Sequence, residues 1–249
     1  ARGACAVNTI VTLLDLPPEA STFARGIDAL HAFVFGTTIV GSTFVLALAI
    51  FFIARYHESR DVPRRRHTGH SSTAWELFIV GGITSLFVLW WALGFHQFDH
   101  MVNPPKNAVV IYVTAKQGMW KFEHETGEIE LDSLTVPGGV PVELVMTSRD
   151  VIHSFYVPAF RVKQDVIPGR YTTTWFEATM TGDFPLRCAE LCGAGHSKML
   201  ATVHVVPRTA FADALHALGP DSPRARRGLD AAAAHGCLAC HSLDGSARI

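Results

Sequence analysis

Cys188-Ala-Glu190-Leu-Cys192-Gly-Ala-Gly-His196-Ser-Lys-Met199 runs, one residue later, into Ala201-Thr-Val-His-Val-Val206. A glycine-rich stretch with two thiols, an imidazole and a thioether thus abuts a β-branched run, the pattern of a ligand loop held between strands. Thiolate and thioether donors select copper or iron–sulfur chemistry over hard cations, and an imidazole beside them suits copper or zinc. A mononuclear blue-copper centre uses one Cys, two His and a weak Met. The second Cys is enough for two copper ions sharing two bridging sulfurs, which makes copper the leading candidate. A structural zinc ion, or a Cys188–Cys192 disulfide with bystander His and Met, stays open as the alternative. Against it, zinc rarely takes Met, and two Cys, two His and a Met over-supply one tetrahedral ion.

The second His must come from elsewhere. His153 offers it, in Asp150-Val-Ile-His153-Ser-Phe-Tyr-Val-Pro158, about 35 residues upstream in a stretch that reads as strand. Further outward, Val109-Val-Ile-Tyr-Val-Thr114, Glu143-Leu-Val-Met-Thr147 and Tyr171-Thr-Thr-Thr-Trp-Phe-Glu177 are short β-branched and aromatic runs separated by Pro137-Gly138-Gly139 and Pro168-Gly169. Strands at this spacing without intervening helices indicate a sandwich or barrel of about a hundred residues. The ligand cluster is expected in the loop between the runs at 171–177 and 201–206.

Upstream the character changes. Across 249 residues the chain is 49% hydrophobic, with a mean hydropathy of +0.23, above an ordinary soluble domain. Phe33 to Ile53 and Leu77 to Phe95 carry no charged residue, and each is long enough to cross a bilayer as a helix. Between them lie five arginines within a dozen residues, Arg55, Arg60, Arg64, Arg65 and Arg66. Flanked by two spans, that loop is an orientation signal and not a nucleic-acid site. It places itself in the cytoplasm and both chain ends on the opposite, periplasmic side of a bacterial inner membrane. The net charge of −1 says little about partners.

Downstream of Pro207 the chain becomes helical and Ala-rich, passes a linker at Gly219-Pro-Asp-Ser-Pro223, and reaches Cys237-Leu-Ala-Cys240-His241. Cys-x-x-Cys-His is the c-type haem attachment signature, two thioether-forming thiols and a proximal His. A thioredoxin-like pair would need a βαβ setting that the pattern lacks. Eight residues after His241 are too few to fold a cytochrome c, so a longer polypeptide is expected. Of five cysteines, four fall in these two motifs and Cys5 stays an unassigned thiol. No long apolar core of a signal peptide precedes it, so either a leader has been removed or translocation depends on the first span.

The early His paired with a late Cys-x-Glu-x-Cys-x3-His-x2-Met resembles subunit II of the haem–copper cytochrome c oxidases, over roughly residues 20 to 207. The resemblance implies a membrane α-helical hairpin and an all-β cupredoxin-like Greek-key barrel. With Cys-x-x-Cys-His it is similar to the caa type, whose subunit II continues into an α-helical cytochrome c. The expected segments are a lead-in at 1–26, the hairpin at 27–103, the copper domain at 104–207, a helix and linker at 208–227, and an incomplete cytochrome c at 228–249. The resemblance implies a binuclear copper A centre on His153, Cys188, the Glu190 backbone carbonyl, Cys192, His196 and Met199. It also implies a magnesium ion reached by the Glu190 side chain at the junction with subunit I, and a carboxylate at the mouth of a proton channel, which Glu76 matches. Partners so implied are subunit I, subunit III, membrane lipid, and cytochrome c or another haem c donor, including one within a larger respiratory assembly.

One departure stands out. Family members carry Gln-Trp-x-Trp before the second strand, whereas this chain reads Lys116-Gln117-Gly118-Met119-Trp120-Lys121-Phe122, with Gly118 at the first Trp position. That puts the usual electron route in doubt and leaves Trp120 as the candidate path, with electrons expected from the attached haem. The acidic stretch from Glu123 to Asp132 suits either steering of a basic donor or a solvated hairpin edge. The expected activity is transfer of electrons through the copper pair to haem in subunit I, where oxygen is reduced and protons are moved. The rival is a membrane-tethered copper shuttle or copper-delivery protein without an oxidase partner. Nitrous oxide reductase, which uses a similar cluster, is soluble and disfavoured by the two spans.

Overall fold

The computed structural model describes residues 16–57, 72–219 and 223–239. Cys5, most of the arginine loop, Cys240 and His241 lie outside the described residues. The chain divides into two units.

The first unit holds two helices, α1 (Ala24–Tyr56) and α2 (Thr73–Val102). At 33 and 30 residues they are about 50 and 45 Å long, ample for a hydrocarbon layer of about 30 Å. They are antiparallel, since Gly26 near the start of α1 lies against Gln97 near the end of α2. Their apolar side chains, among them Phe35, Ile39, Phe44, Val80 and Trp91, are exposed along the helices. A soluble domain does not leave a continuous apolar surface of that size in water; a bilayer covers it. The Thr37 hydroxyl donates to the carbonyl of Phe33 at 2.9 Å, so that polar group is satisfied inside its own helix.

The second unit is a β-sandwich. Its strands among the described residues are β1 (Val109–Lys116), β2 (Met119–His124), β3 (Ile129–Leu131), β4 (Ser133–Pro137), β5 (Pro141–Ser148), β6 (His153–Val157), β7 (Val162–Val166), β8 (Thr172–Glu177), β9 (Gly182–Cys188) and β10 (Leu200–Val206). They form two five-stranded sheets, ordered β3-β2-β1-β5-β8 and β4-β10-β9-β6-β7. The β1–β5 and β4–β10 pairs are parallel and the others antiparallel. Alternation is clean in β5, where Val142, Leu144 and Met146 face inward. Across the core the Trp120 and Phe155 rings meet edge-on at 6.0 Å, joining β2 of one sheet to β6 of the other.

The chain changes sheet at Asp132, which sits at φ 52°. Its carboxylate accepts the Trp120 N–H at 2.8 Å and its own N–H donates to the Trp120 carbonyl at 2.8 Å. Its carbonyl accepts from Thr202 on β10 at 3.2 Å, so one corner residue holds both sheets.

Two sequence expectations need correction. The ligand loop lies between β9 and β10, not directly after the run at 171–177. Strand β9, Gly-Asp-Phe-Pro-Leu-Arg-Cys, lacks β-branched residues and contains Pro185. It tolerates the proline because Pro185 stands opposite Thr202, whose N–H bonds to Asp132 instead, and because β6 pairs with β9 only at Cys188 and Arg187, so no partner calls for an N–H at Pro185. Of the sandwich or barrel expected, the domain is a two-sheet sandwich. The lead-in is not a separate element where it is described, because residues 17–23 pack onto the sandwich before α1 begins.

In that strap Ala20 N–H donates to Ala159, Thr22 N–H to Glu177, and the Ala20 carbonyl accepts from Thr179. The Ser21 hydroxyl donates to the Phe160 carbonyl at 2.7 Å and accepts from Ala24 N–H at 3.2 Å. Phe23 packs edge-on against Trp175 at 4.7 Å. Arg161, at φ 55°, donates to the Pro17 carbonyl at 2.7 Å. Beyond β10, helix α3 (Phe211–His216) lies against β4, and α4 (Pro223–Ala234) leads to the turn at Cys237–Ala239.

Candidate metal centre

The six residues singled out in the sequence converge at one end of the second sheet. His153 opens β6, Cys188 closes β9, and the loop to β10 carries the rest. Pairing of Phe155 with Cys188 in adjacent strands brings the two segments together. Cys188 Sγ lies 3.8 Å from His153 Nδ1, 3.2 Å from the Glu190 carbonyl and 3.9 Å from Cys192 Sγ. Cys192 Sγ lies 3.6 Å from His196 Nδ1 and 3.9 Å from Met199 Sδ. The donor atoms of His153, Cys188 and Cys192 all fall within 4.8 Å of one another. Both cysteines are free thiols, and a sulfur separation of 3.9 Å is nearly twice a disulfide bond of about 2.05 Å.

Backbone bonds preform the loop. Cys188 N–H donates to the Met199 carbonyl at 3.2 Å across its base, and Ala189 N–H donates to Ser154 on β6 at 3.0 Å. Within it, His196 N–H reaches Gly193 at 3.1 Å and Lys198 N–H reaches Gly195 at 2.8 Å. Gly193 and Gly195 sit at φ 112° and 90°, which side chains bearing a Cβ rarely adopt.

His153 is completely buried. With Nδ1 toward Cys188, its Nε2–H donates to Asp150 Oδ1 at 2.7 Å, the carboxylate partner that fixes the ring of a metal-binding His. Asp150 also accepts from the main-chain N–H groups of Gln117 and Val151, each at 2.7 Å. Burial opposes its ionisation, but the bonds from Gln117, His153 and Val151 outweigh it and hold the pKa at about 2. The Cys192 thiol is pushed up, by burial first and then by Cys188. Such a thiol ionises readily only with a cation beside it. Two soft sulfurs, two imidazole nitrogens, a buried thioether and a carbonyl oxygen fit a copper pair and exceed what one zinc ion takes.

The other expected residues are spread more widely. Glu190 presents its backbone to Cys188 while its side chain is exposed. Glu76 stands in the first turn of α2 and is exposed. Trp120 is fully buried, its ring centre 6.2 Å from that of His153. Cys237 is an exposed free thiol, whereas Cys240 and His241 lie outside the described residues. Gly118 forms the β1–β2 turn with Gln117, between paired Lys116 and Met119. Its φ of 80° suits the third position of a type II turn and would strain a Trp.

The acidic stretch is not a uniform docking edge. Glu130 is buried and accepts from His124 Nε2 at 3.0 Å and from Thr135 N–H at 2.7 Å, and Asp132 serves the corner. Of its acidic residues Glu123, Glu125 and Asp132 are exposed and Glu128 is half-buried. Two groups that support the site, Asp150 and Gln117, were not singled out as site residues in the sequence. Asp150, three residues before the candidate His, was the available signal.

Comparison with known proteins follows the same lines. The family profile of the cytochrome c oxidase subunit II periplasmic domain matches residues 90–206. Cytochrome c oxidase subunit 2 of Cereibacter sphaeroides is 30% identical over 239 residues, covering 78% of this chain and 77% of that protein. The alternative cytochrome c oxidase subunit 2 of Bradyrhizobium diazoefficiens is 30% identical over 197 residues, covering 65% of this chain and 70% of that protein. A crystal structure of the periplasmic domain of cytochrome oxidase subunit II from Bradyrhizobium japonicum aligns with a TM-score of 0.45 and 32% identity, over 47% of this chain and 96% of that one. With 30% identity maintained across more than two thirds of two full subunits, this chain belongs to the cytochrome c oxidase subunit II family.

Proposed function

We propose that this chain is the electron-accepting subunit of a proton-moving terminal oxidase. It takes electrons from haem c, bound through Cys237, Cys240 and His241, and delivers them toward haem in subunit I. The observation that carries this is the convergence of two thiols, two imidazole Nδ1 atoms and a thioether, with successive separations of 3.6 to 3.9 Å.

A copper pair held in this donor set would supply a one-electron relay. The chain's own residues do the rest. Cys188 and Cys192 would hold the pair through their thiolates, and His153 and His196 would each offer the Nδ1 that already faces a sulfur. Met199 and the Glu190 carbonyl would be weak ligands that tune potential more than affinity. Asp150 keeps His153 in one orientation, and burial of His153, Cys192 and Met199 excludes water from the donor set. The exposed Glu190 carboxylate is assigned to magnesium shared with subunit I, and Glu76 to the mouth of a proton channel. The arginine loop faces the cytoplasm, and the sandwich and both termini face the periplasm. Buried Trp120, against His153, is the proposed path through the interior.

A metal count with optical and electron-spin spectra on the protein purified from membranes tests the reading. Two coppers with a shared-electron signature, together with a very hydrophobic haem-binding partner, are expected. Zinc in the site would refute copper. A copper-loaded chain that purifies alone would refute the oxidase and leave a shuttle or delivery protein.

A further inference from the structure

We infer that Gln117 is a positioning residue that ties the ligand loop to the carboxylate orienting His153, an inference resting on the assignment of copper to this donor set. Gln117 occupies the two-residue turn between β1 and β2, 75 residues from Cys192 in sequence. Its main-chain N–H donates to Asp150 Oδ2 at 2.7 Å, and the other oxygen of that carboxylate holds His153 Nε2. Its side-chain Nε2 donates to the Cys192 carbonyl at 2.5 Å. One residue of the opposite sheet therefore grips both halves of the site, the His153 half through its backbone and the Cys192 half through its amide.

The peptide it grips most needs holding. Cys192 is followed by Gly193 at φ 112°, then by Ala194 and Gly195 at φ 90°, a run with little torsional stiffness of its own. Fixing the Cys192 carbonyl sets where the Cys192 sulfur stands relative to Cys188 and His196. Gly193 is fitted to this contact, because a Cβ there would stand 2.6 Å from Gln117 Nε2. The exposed turn residue and the glycine in the ligand loop form one joint.

Every substitution of Gln117 except proline keeps the backbone bond to Asp150, so side-chain variants isolate the loop tie. Gln117→Ala removes the amide. Gln117→Glu fills the same space but sets an acceptor against the Cys192 carbonyl. The full chain is purified in detergent, loaded with copper, and followed for copper release to a chelator and for its electron-spin spectrum. The metal-free chain is followed for amide hydrogen exchange at residues 193–196.

Both variants should release copper about tenfold or more faster, as for other losses beside a metal ligand, with altered copper hyperfine structure and faster exchange at 193–196. Wild-type release, spectrum and exchange in Gln117→Glu would overturn the inference, since the amide would then act only as filler. Should Gln117→Ala fail to fold, the isosteric Gln117→Glu decides alone. A wild-type chain that takes up no copper would instead sink the copper assignment, while the exchange measurement would still test the tie.

Discussion

Met199 is completely buried with its sulfur 3.9 Å from Cys192 Sγ, a position from which it touches the donor set at one edge. Met199→Leu keeps nearly the same volume, so the loop should still close and copper should still bind. A changed reduction potential, read by redox titration, is the expected result. Cys192→Ser, in contrast, removes the sulfur that faces Cys188, His196 and Met199 together, and the binuclear electron-spin signature should vanish. The candidate ligands that converge here were legible in the sequence because two Cys, a His and a Met in twelve residues have few other uses. Gln117 was not, since a polar residue before a glycine reads as an ordinary turn, and only the fold brings its amide to Cys192.

At the scale of elements, the β2–β3 hairpin encloses a carboxylate. Glu130 is buried, and its pKa lies below the ordinary 4.5: burial pushes it up, but His124, Thr135 and Ser133 donate to it and more than compensate. A depressed carboxylate stabilises the fold fully above its unfolded pKa and loses that contribution as pH falls through the folded one. The thermal midpoint of the wild type should therefore drop on acidification below about pH 4.5 more steeply than that of Glu130→Gln. Equal slopes would remove Glu130 as the source. The strap at 17–23 is the second case. Ser21→Ala deletes the bonds to Phe160 and Ala24 and should cost about 1 kcal/mol, visible as a lower thermal midpoint. Strands with β-branched runs were readable from pattern. The strap was not, because backbone hydrogen bonds leave no hydrophobic period, and β9 was not, because its alternation of Phe184, Leu186 and Cys188 is masked by Pro185 and the lack of β-branched residues.

Over the whole molecule, the residues proposed to hold copper come from β6, from the end of β9 and from the β9–β10 loop, whereas Cys237 lies beyond α4. The two proposed cofactors should accordingly be separable. Cys237→Ser should abolish normal two-thioether attachment, seen as a shifted pyridine haemochrome band, while the copper spectrum persists; loss of both would show that the segments depend on each other. The division into apolar helices and sandwich was legible because charge-free runs and β-branched runs are chemically unlike. How the chain passes from lead-in to sandwich was not, since it turns on contacts between residues more than 130 positions apart, such as Ser21 with Phe160. The Trp120 ring, sealed from solvent and beside His153, has one further consequence. A coloured, paramagnetic ion bound against that imidazole would drain the indole's excited state, so filling of the site should be read as a partial darkening of ultraviolet emission, over the light of the four other Trp residues, without any added dye.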